Sequence, residues 1–154
     1  MQRECAVGLY YEDFEMDRPV ETRGRTVGEG DITLFAGLSG DFNPLHVDEE
    51  FCAGSPYKSR IAHGPLTLSM AIGLLSQQNL IDGTAIGLLG LTWTFTAPVK
   101  IGDTIHARVT LASKRPTKDA ARGIVVLRLE VLNQQGRNVQ TGEMTLMMKR
   151  RQPA

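Results

Sequence analysis

The sequence predicts an α+β domain in which one antiparallel sheet curls around a single buried helix, and three observations carry that prediction. The segment from Gly64 to about Asn79, GPLTLSMAIGLLSQQN, is apolar on almost every face of a helix, and a helix of that kind buries itself in a core. It is too short to span a bilayer. Four strand-like runs follow it, Thr84–Thr96, Asp103–Lys114, Ala121–Asn133 and Asn138–Lys149. One buried helix followed by consecutive strands packs in layers around a single core, with the strands as the wrapper.

The elements follow in order. Residues 1–20 read as an irregular lead-in, anchored by Tyr10, Tyr11 and Phe14 and stopped by Pro19. Glu21–Val27 reads as a short strand, broken by Gly28 and Gly30. Asp31 is placed to cap a helix carrying Ile32, Leu34, Phe35 and Leu38. Ser39-Gly40 should end that helix, with glycine taking the left-handed turn. Asn43-Pro44 disfavours helix at residue 43 and predicts a tight connector from Asp41 to His46. Asp48–Ala53 reads as one or two helical turns. Pro65 suits the first turn of the central helix, where its missing N–H is no loss. In the second long strand, Ile105, Ala107, Val109 and Leu111 alternate with Thr104, His106, Arg108 and Thr110, the period of a half-buried strand. Gln135-Gly136 and Ile101-Gly102-Asp103 read as hairpin turns. A sheet wrapped around a central helix in this way is the hot-dog fold, expected as one domain over residues 1–154.

Composition narrows the function. The apolar fraction of 42% and charged fraction of 22% are those of an ordinary globular protein. Seventeen basic residues balance seventeen acidic ones, so no global field favours nucleic acid or an anionic membrane. Cys5 and Cys52 form neither a disulfide framework nor a spaced metal cluster. The start, MQRECAVGLYYEDFEMD, lacks the basic and then apolar regions of a signal peptide. A cytoplasmic location is the resulting expectation.

Chemistry concentrates in FAGLSGDFNPLHVDEEFCA, residues 35–53, where a carboxylate, a carboxamide and an imidazole fall around one proline. Asp41 and His46 on a rigid turn can hold one water between them, one group taking a proton while the other orients or donates. Asn43 can donate to the carboxylate or anchor the turn backbone. The same residue types also build turns with no catalytic purpose, and spacing alone leaves both readings open. Gly64 opens the central helix, so its N–H is unpaired within the helix and sits at the positive end of the dipole.

The stretch Leu38-Ser39-Gly40-Asp41-Phe42-Asn43-Pro44-Leu45-His46, with Ile61-Ala62-His63-Gly64 ahead of the apolar helix, resembles the MaoC-like, (R)-specific enoyl-CoA hydratases, the hydratase 2 group. The likeness runs from about Tyr11 to Met148 and includes Phe95–Val99 and Gly102-Asp103. Cys52 departs from the family pattern, which usually has Ala or Ser there, and Ile72 lies where some members place a serine. The resemblance implies that Asp41 and His46 activate water and shuttle its protons, that Asn43 assists their orientation, and that the Gly64 N–H binds the thioester carbonyl. It implies reversible hydration of a trans-2-enoyl-CoA to an (R)-3-hydroxyacyl-CoA. It further implies an acyl-CoA partner, no separate cofactor, and a homodimer or dimer-based oligomer with the pocket at the subunit interface. Straight-chain, branched and dicarboxylic enoyl thioesters, on coenzyme A or a carrier protein, all fit the motif.

Other candidates have plainer readings. His63 is expected to pack and make a backbone hydrogen bond, and His106 to face solvent. Asp41, His46 and His63 show no HxH, HExxH or CxxC spacing, so no metal site is expected. Cys52 reads as a packing residue, and Phe42 and Leu45 fit either core or pocket. Lys58, Arg60, Lys114, Arg115 and Lys118 fit ordinary solvated loops at least as well as a phosphate site. Two competing functions share the fold. A hot-dog thioesterase typically draws a carboxylate from the central helix, and residues 64–79 contain none. A non-catalytic acyl-CoA binding protein has no need of Asp41, Asn43 and His46 together.

Overall fold

The computed structural model describes residues 8–16 and 18–151; Cys5 and the first part of the lead-in lie outside them. The described part of the lead-in includes a 3-10 turn, Tyr11–Asp13. Phe14 is buried in the core, and the Tyr11 ring lies on Gly123, where any Cβ would collide with it. The expected strand over 21–27 is two short pieces, β1 (Val20–Glu21) and β2 (Arg25–Thr26), both paired antiparallel with β4. Between them Thr22 turns inward, and its hydroxyl accepts from the Ala107 N–H at 2.8 Å.

Helix α1 spans Glu29–Ser39 and ends on Gly40 at φ 76°, the left-handed stop expected of glycine. Its start corrects the expectation for Asp31. That residue sits inside the first turn and reaches back to the Gly28 N–H at 2.9 Å, so the carboxylate caps from within and the helix begins ahead of it. Two short helices follow, α2 (Pro44–Val47) and α3 (Glu49–Ala53), capped by the side chains of Asn43 and Asp48. The central helix α4 runs Gly64–Ser76. It stops short of Asn79, which adopts a left-handed φ of 56°.

The long strands are β3 (Ala85–Phe95), β4 (Thr104–Pro116), β5 (Arg122–Leu132) and β6 (Asn138–Lys149). Their order across the sheet is β1-β4-β5-β6-β3, every pairing antiparallel. The 104–111 alternation holds, with Ile105, Ala107, Val109 and Leu111 all buried. Gly136 makes the β5–β6 turn at φ 73°. The turn at Gly102 is not a hairpin. β3 and β4 lie at different places in the sheet, and residues 96–103 cross between them, tied down by Ala62 N–H to Val99 O at 2.7 Å and Gly102 N–H to Val27 O at 2.8 Å. That crossover brings the 61–64 segment against the end of β3.

The sheet wraps α4 in the hot-dog manner. Leu66, Met70 and Ala71 pack with Ile105, Val131 and Val139, while Leu75 joins Val109, Leu127, Met144 and Met148. Leu68, Ile72 and Gly73 are only half-buried, so the all-round apolar helix keeps one partly open face. Strand β3 forms one edge of the sheet, with Ile86, Leu88, Leu89, Leu91 and Phe95 exposed along it. Among the described residues no helix is long and apolar enough to cross a membrane.

Candidate active site

Short side-chain-to-backbone bonds build the 39–46 turn. Ser39 Oγ accepts from the Asp41 N–H and Asp41 Oδ1 from the Asn43 N–H, each at 3.2 Å. Asn43 Oδ1 then accepts from the Leu45 N–H at 3.0 Å and caps α2. The carboxamide of Asn43 is therefore the anchor of the turn, and it is Asn43's backbone N–H that meets the carboxylate. Pro44 locks φ at the start of the helical turn that carries His46.

His46 is held by its Nδ1, 2.8 Å from the Ile61 carbonyl. A carbonyl only accepts, so Nδ1 carries a proton, and Nε2 is the ring nitrogen left facing the groove side of the turn without a hydrogen-bond partner among the described residues. Nε2 faces Asp41 Oδ2 at 3.9 Å, with the Asp41 side chain 51% exposed and that of His46 13%. That separation is beyond a direct hydrogen bond, yet both atoms can touch the same small molecule. His63 lies behind the pair and is 1% exposed. Its Nε2–H donates to the Asp41 carbonyl at 2.9 Å, and its ring stacks on His46 at 3.7 Å and 27°. Phe35 packs on the His63 ring at 5.0 Å, tilted by 52°. The packing and backbone bond expected of His63 are both present, and the bond goes to Asp41.

Ligand atoms of Asp41, His46 and His63 lie within 4.8 Å of one another. The His46 and His63 rings are stacked at 27°, and His63 Nε2 is engaged with the Asp41 carbonyl.

His46 and Gly64 line one groove of about 470 Å³, shared with Tyr57, Thr67, Phe95 and Gln140. Gly64 is the first residue of α4, and its N–H has no protein acceptor among the described residues. A Cβ there would stand 2.8 Å from the Phe95 ring, so glycine lets that ring lie against the backbone. The peptide behind the N–H is clamped from within the helix. Thr67 N–H donates to the His63 carbonyl at 3.3 Å, and Thr67 Oγ donates to the Gly64 carbonyl at 3.0 Å.

A buried polar chain extends that clamp into the sheet. Trp93 Nε1–H donates to Gln140 Oε1 at 3.0 Å. Because indole only donates, the amide orientation is determined, and Gln140 Nε2 donates to Thr67 Oγ. Gln140 and Thr67 are 2% and 1% exposed. Nothing in the sequence reading singled out these three residues. One signal was available: Gln140 stands in phase with Met144, Leu146 and Met148 on the inward face of β6, a polar residue at an apolar position.

The remaining candidates are placed elsewhere. His106 faces Glu21 at 3.6 Å. Cys52 is fully buried with Sγ directed at the Pro44 and Leu45 carbonyls, 3.4 and 3.3 Å away, and burial pushes its thiol pKa up, the reverse of a nucleophile. Ile72 packs on the core around Leu75. Arg60 is held by Glu29 and Glu49 at 2.6–2.8 Å, and Lys114 reaches the Phe14 carbonyl at 2.7 Å. Phe42 is exposed.

A hot-dog sheet wraps the central helix, and a carboxylate and an imidazole lie near that helix's first turn. The family described as MaoC like domain matches residues 13–133, and the chain belongs to that family. An (R)-specific enoyl-CoA hydratase of Rhodospirillum rubrum is 38% identical over 109 residues, 71% of this chain and 74% of its own. The solved R-hydratase of Pseudomonas aeruginosa superposes with a TM-score of 0.76 at 34% identity, covering 94% of this chain and 88% of that one. A Mycobacterium tuberculosis protein with a double hotdog fold, at 23% identity and a TM-score of 0.80, covers 96% of this chain and 47% of that one, and supports the fold alone. The chain is an enzyme of the hydro-lyase class.

Proposed function

We propose that the protein catalyses the reversible hydration of a trans-2-enoyl-CoA to an (R)-3-hydroxyacyl-CoA. The observation that carries this reading is the free Nε2 of His46 facing the Asp41 carboxylate at 3.9 Å, on the groove that Gly64 also lines. In this reading a water at Asp41 and His46 adds its oxygen to C3 of the enoyl group. Its proton passes to the pair, the C2–C3 double bond becomes an enolate, and the pair returns a proton to C2. The thioester oxygen carries the developing charge and takes the Gly64 N–H at the positive end of α4. A donor in that position lowers the barrier by about 3–4 kcal/mol. Asn43 serves by holding the turn.

No cofactor enters this scheme, since coenzyme A arrives as part of the substrate; activity unchanged after exhaustive chelation is the expected result. A cytoplasmic site of action belongs to the same proposal. So does a homodimer, supported by the exposed apolar edge of β3. Phe95 belongs both to that edge and to the groove, so a partner on β3 would wall the site.

The deciding experiment compares hydration rates of folded Asp41→Asn and His46→Gln proteins with the parent. A loss of about 10²–10⁴-fold in each is expected for an acid–base pair, and near-parental activity in both removes the proposal. Thiol release in the same assay separates hydrolysis from hydration. Helix α4 carries no acidic residue, which argues against hydrolysis. Tight binding with no turnover across an enoyl-CoA panel would favour a binding protein instead.

A further inference from the structure

We infer that His63 is a positioning residue for the acid–base pair, setting the separation of Asp41 from His46; the inference rests on the reading of those two residues given above. Three elements meet at this buried ring. Its Nε2–H fixes the backbone of Asp41 at 2.9 Å, its face fixes the plane of His46 at 3.7 Å, and its own carbonyl belongs to the peptide that presents the Gly64 N–H. Each bond constrains a different component of the site, and all three run through one side chain and its peptide.

The choice of histidine has a cost that packing does not explain. Nδ1 of His63 is buried with no hydrogen-bond partner, and an orphaned buried acceptor opposes folding. A phenyl ring in its place would pack on His46 and Phe35 with no orphan. What a phenyl ring lacks is the N–H to Asp41. Asp41 has few other restraints: its side chain is half exposed, and its N–H and Oδ1 bonds, both 3.2 Å, stay within the same short turn. The bond from His63 spans 22 residues and ties that turn to the segment that opens α4. Without it the carboxylate is free to drift from the Nε2 of His46, and a displacement of about 1 Å at a reacting group costs up to about a hundredfold in rate.

Two variants separate the donor from the ring. His63→Phe keeps a ring and removes the N–H; His63→Gln returns an N–H at similar reach without the ring. For His63→Phe, kcat is expected to fall about tenfold to a hundredfold while KM stays within about twofold, because substrate contacts are unchanged. His63→Gln should recover most of that loss. Unchanged kcat in His63→Phe, or equal loss in both variants, overturns the inference, since a merely structural ring is not rescued by an amide. The parent provides a test that needs no variant to fold. Nitrogen-15 NMR should find His63 as the Nε2–H tautomer with a slowly exchanging proton, and the Nδ1–H tautomer would equally overturn it. Asp41→Asn is measured alongside. If it remains active, the underlying reading fails; if it is inactive while His63→Phe is fully active, only the role of His63 fails.

Discussion

Replacing Thr67 by valine removes one hydroxyl and leaves the side-chain shape almost unchanged. The hydroxyl it removes sits in the middle of the Trp93–Gln140–Thr67–Gly64 chain, accepting from Gln140 and donating to the Gly64 carbonyl at 3.0 Å. The Gly64 carbonyl stays within reach of the helix's own N–H groups, so it is not stranded. The Gln140 amide is 2% exposed and loses its protein acceptor. An unpaired buried donor costs about 1–3 kcal/mol, and a chain of this size shifts its melting point by about 2–4 °C per kcal/mol. The central expectation is a fall of about 4–8 °C for about 2 kcal/mol. Melting is followed by circular dichroism at one fixed protein concentration, because a dimer's midpoint depends on concentration. The double variant with Gln140→Leu should be less destabilised than the two single variants added together, since it removes donor and acceptor together. A Thr67→Val midpoint within about 1 °C of the parent would refute the claim that this chain braces the first turn of α4.

Gly64→Ala places a Cβ 2.8 Å from the half-exposed Phe95 ring, so the ring moves and the N–H is partly covered; kcat/KM should fall about tenfold, or about 1.4 kcal/mol, with the melting point nearly unchanged. Acid sensitivity follows from Glu29, whose pKa the Arg60 hydrogen bonds hold below its ordinary 4.5. A carboxyl depressed in the folded state contributes stability above its unfolded pKa and loses it as pH falls through the folded one. Urea midpoints measured downward from about pH 6 should therefore drop below about pH 4.5, and less steeply in Arg60→Met. On the edge strand, Leu89→Lys should convert a dimer to monomer by light scattering; an unchanged mass would place the interface elsewhere or leave the chain monomeric.

Much of the architecture was legible because hydrophobic period reports local geometry directly. The 104–111 alternation, the apolar run after Gly64 and the glycine stop at 40 each depend on a few neighbouring residues, and each is present. One departure is local and two are non-local. The carboxylate of Asp31 caps from inside its helix because it finds the Gly28 N–H. The 21–27 strand divides where Thr22 turns into the core. Gly102 makes a tight turn, as its φ of 91° requires, but no local signal says that β4 will pair with β5 instead of doubling back on β3.

At the site, neighbouring residues alone specify the rigid turn that carries Asp41 and His46 and the helix start that carries Gly64. Asx turns, a proline and a helix N-terminus are written in adjacent residues, so their chemistry travels with the motif. That the two meet across one groove depends on long-range packing, because the Ile61 carbonyl bonded to His46 and the His63 ring bonded to Asp41 come from a segment held by the 96–103 crossover. The same packing also decides that Gln140 on the last strand braces Thr67 on the central helix. Hydrogen bonds between residues far apart in the chain depend on the packing of the whole sheet, and no window of sequence contains both partners.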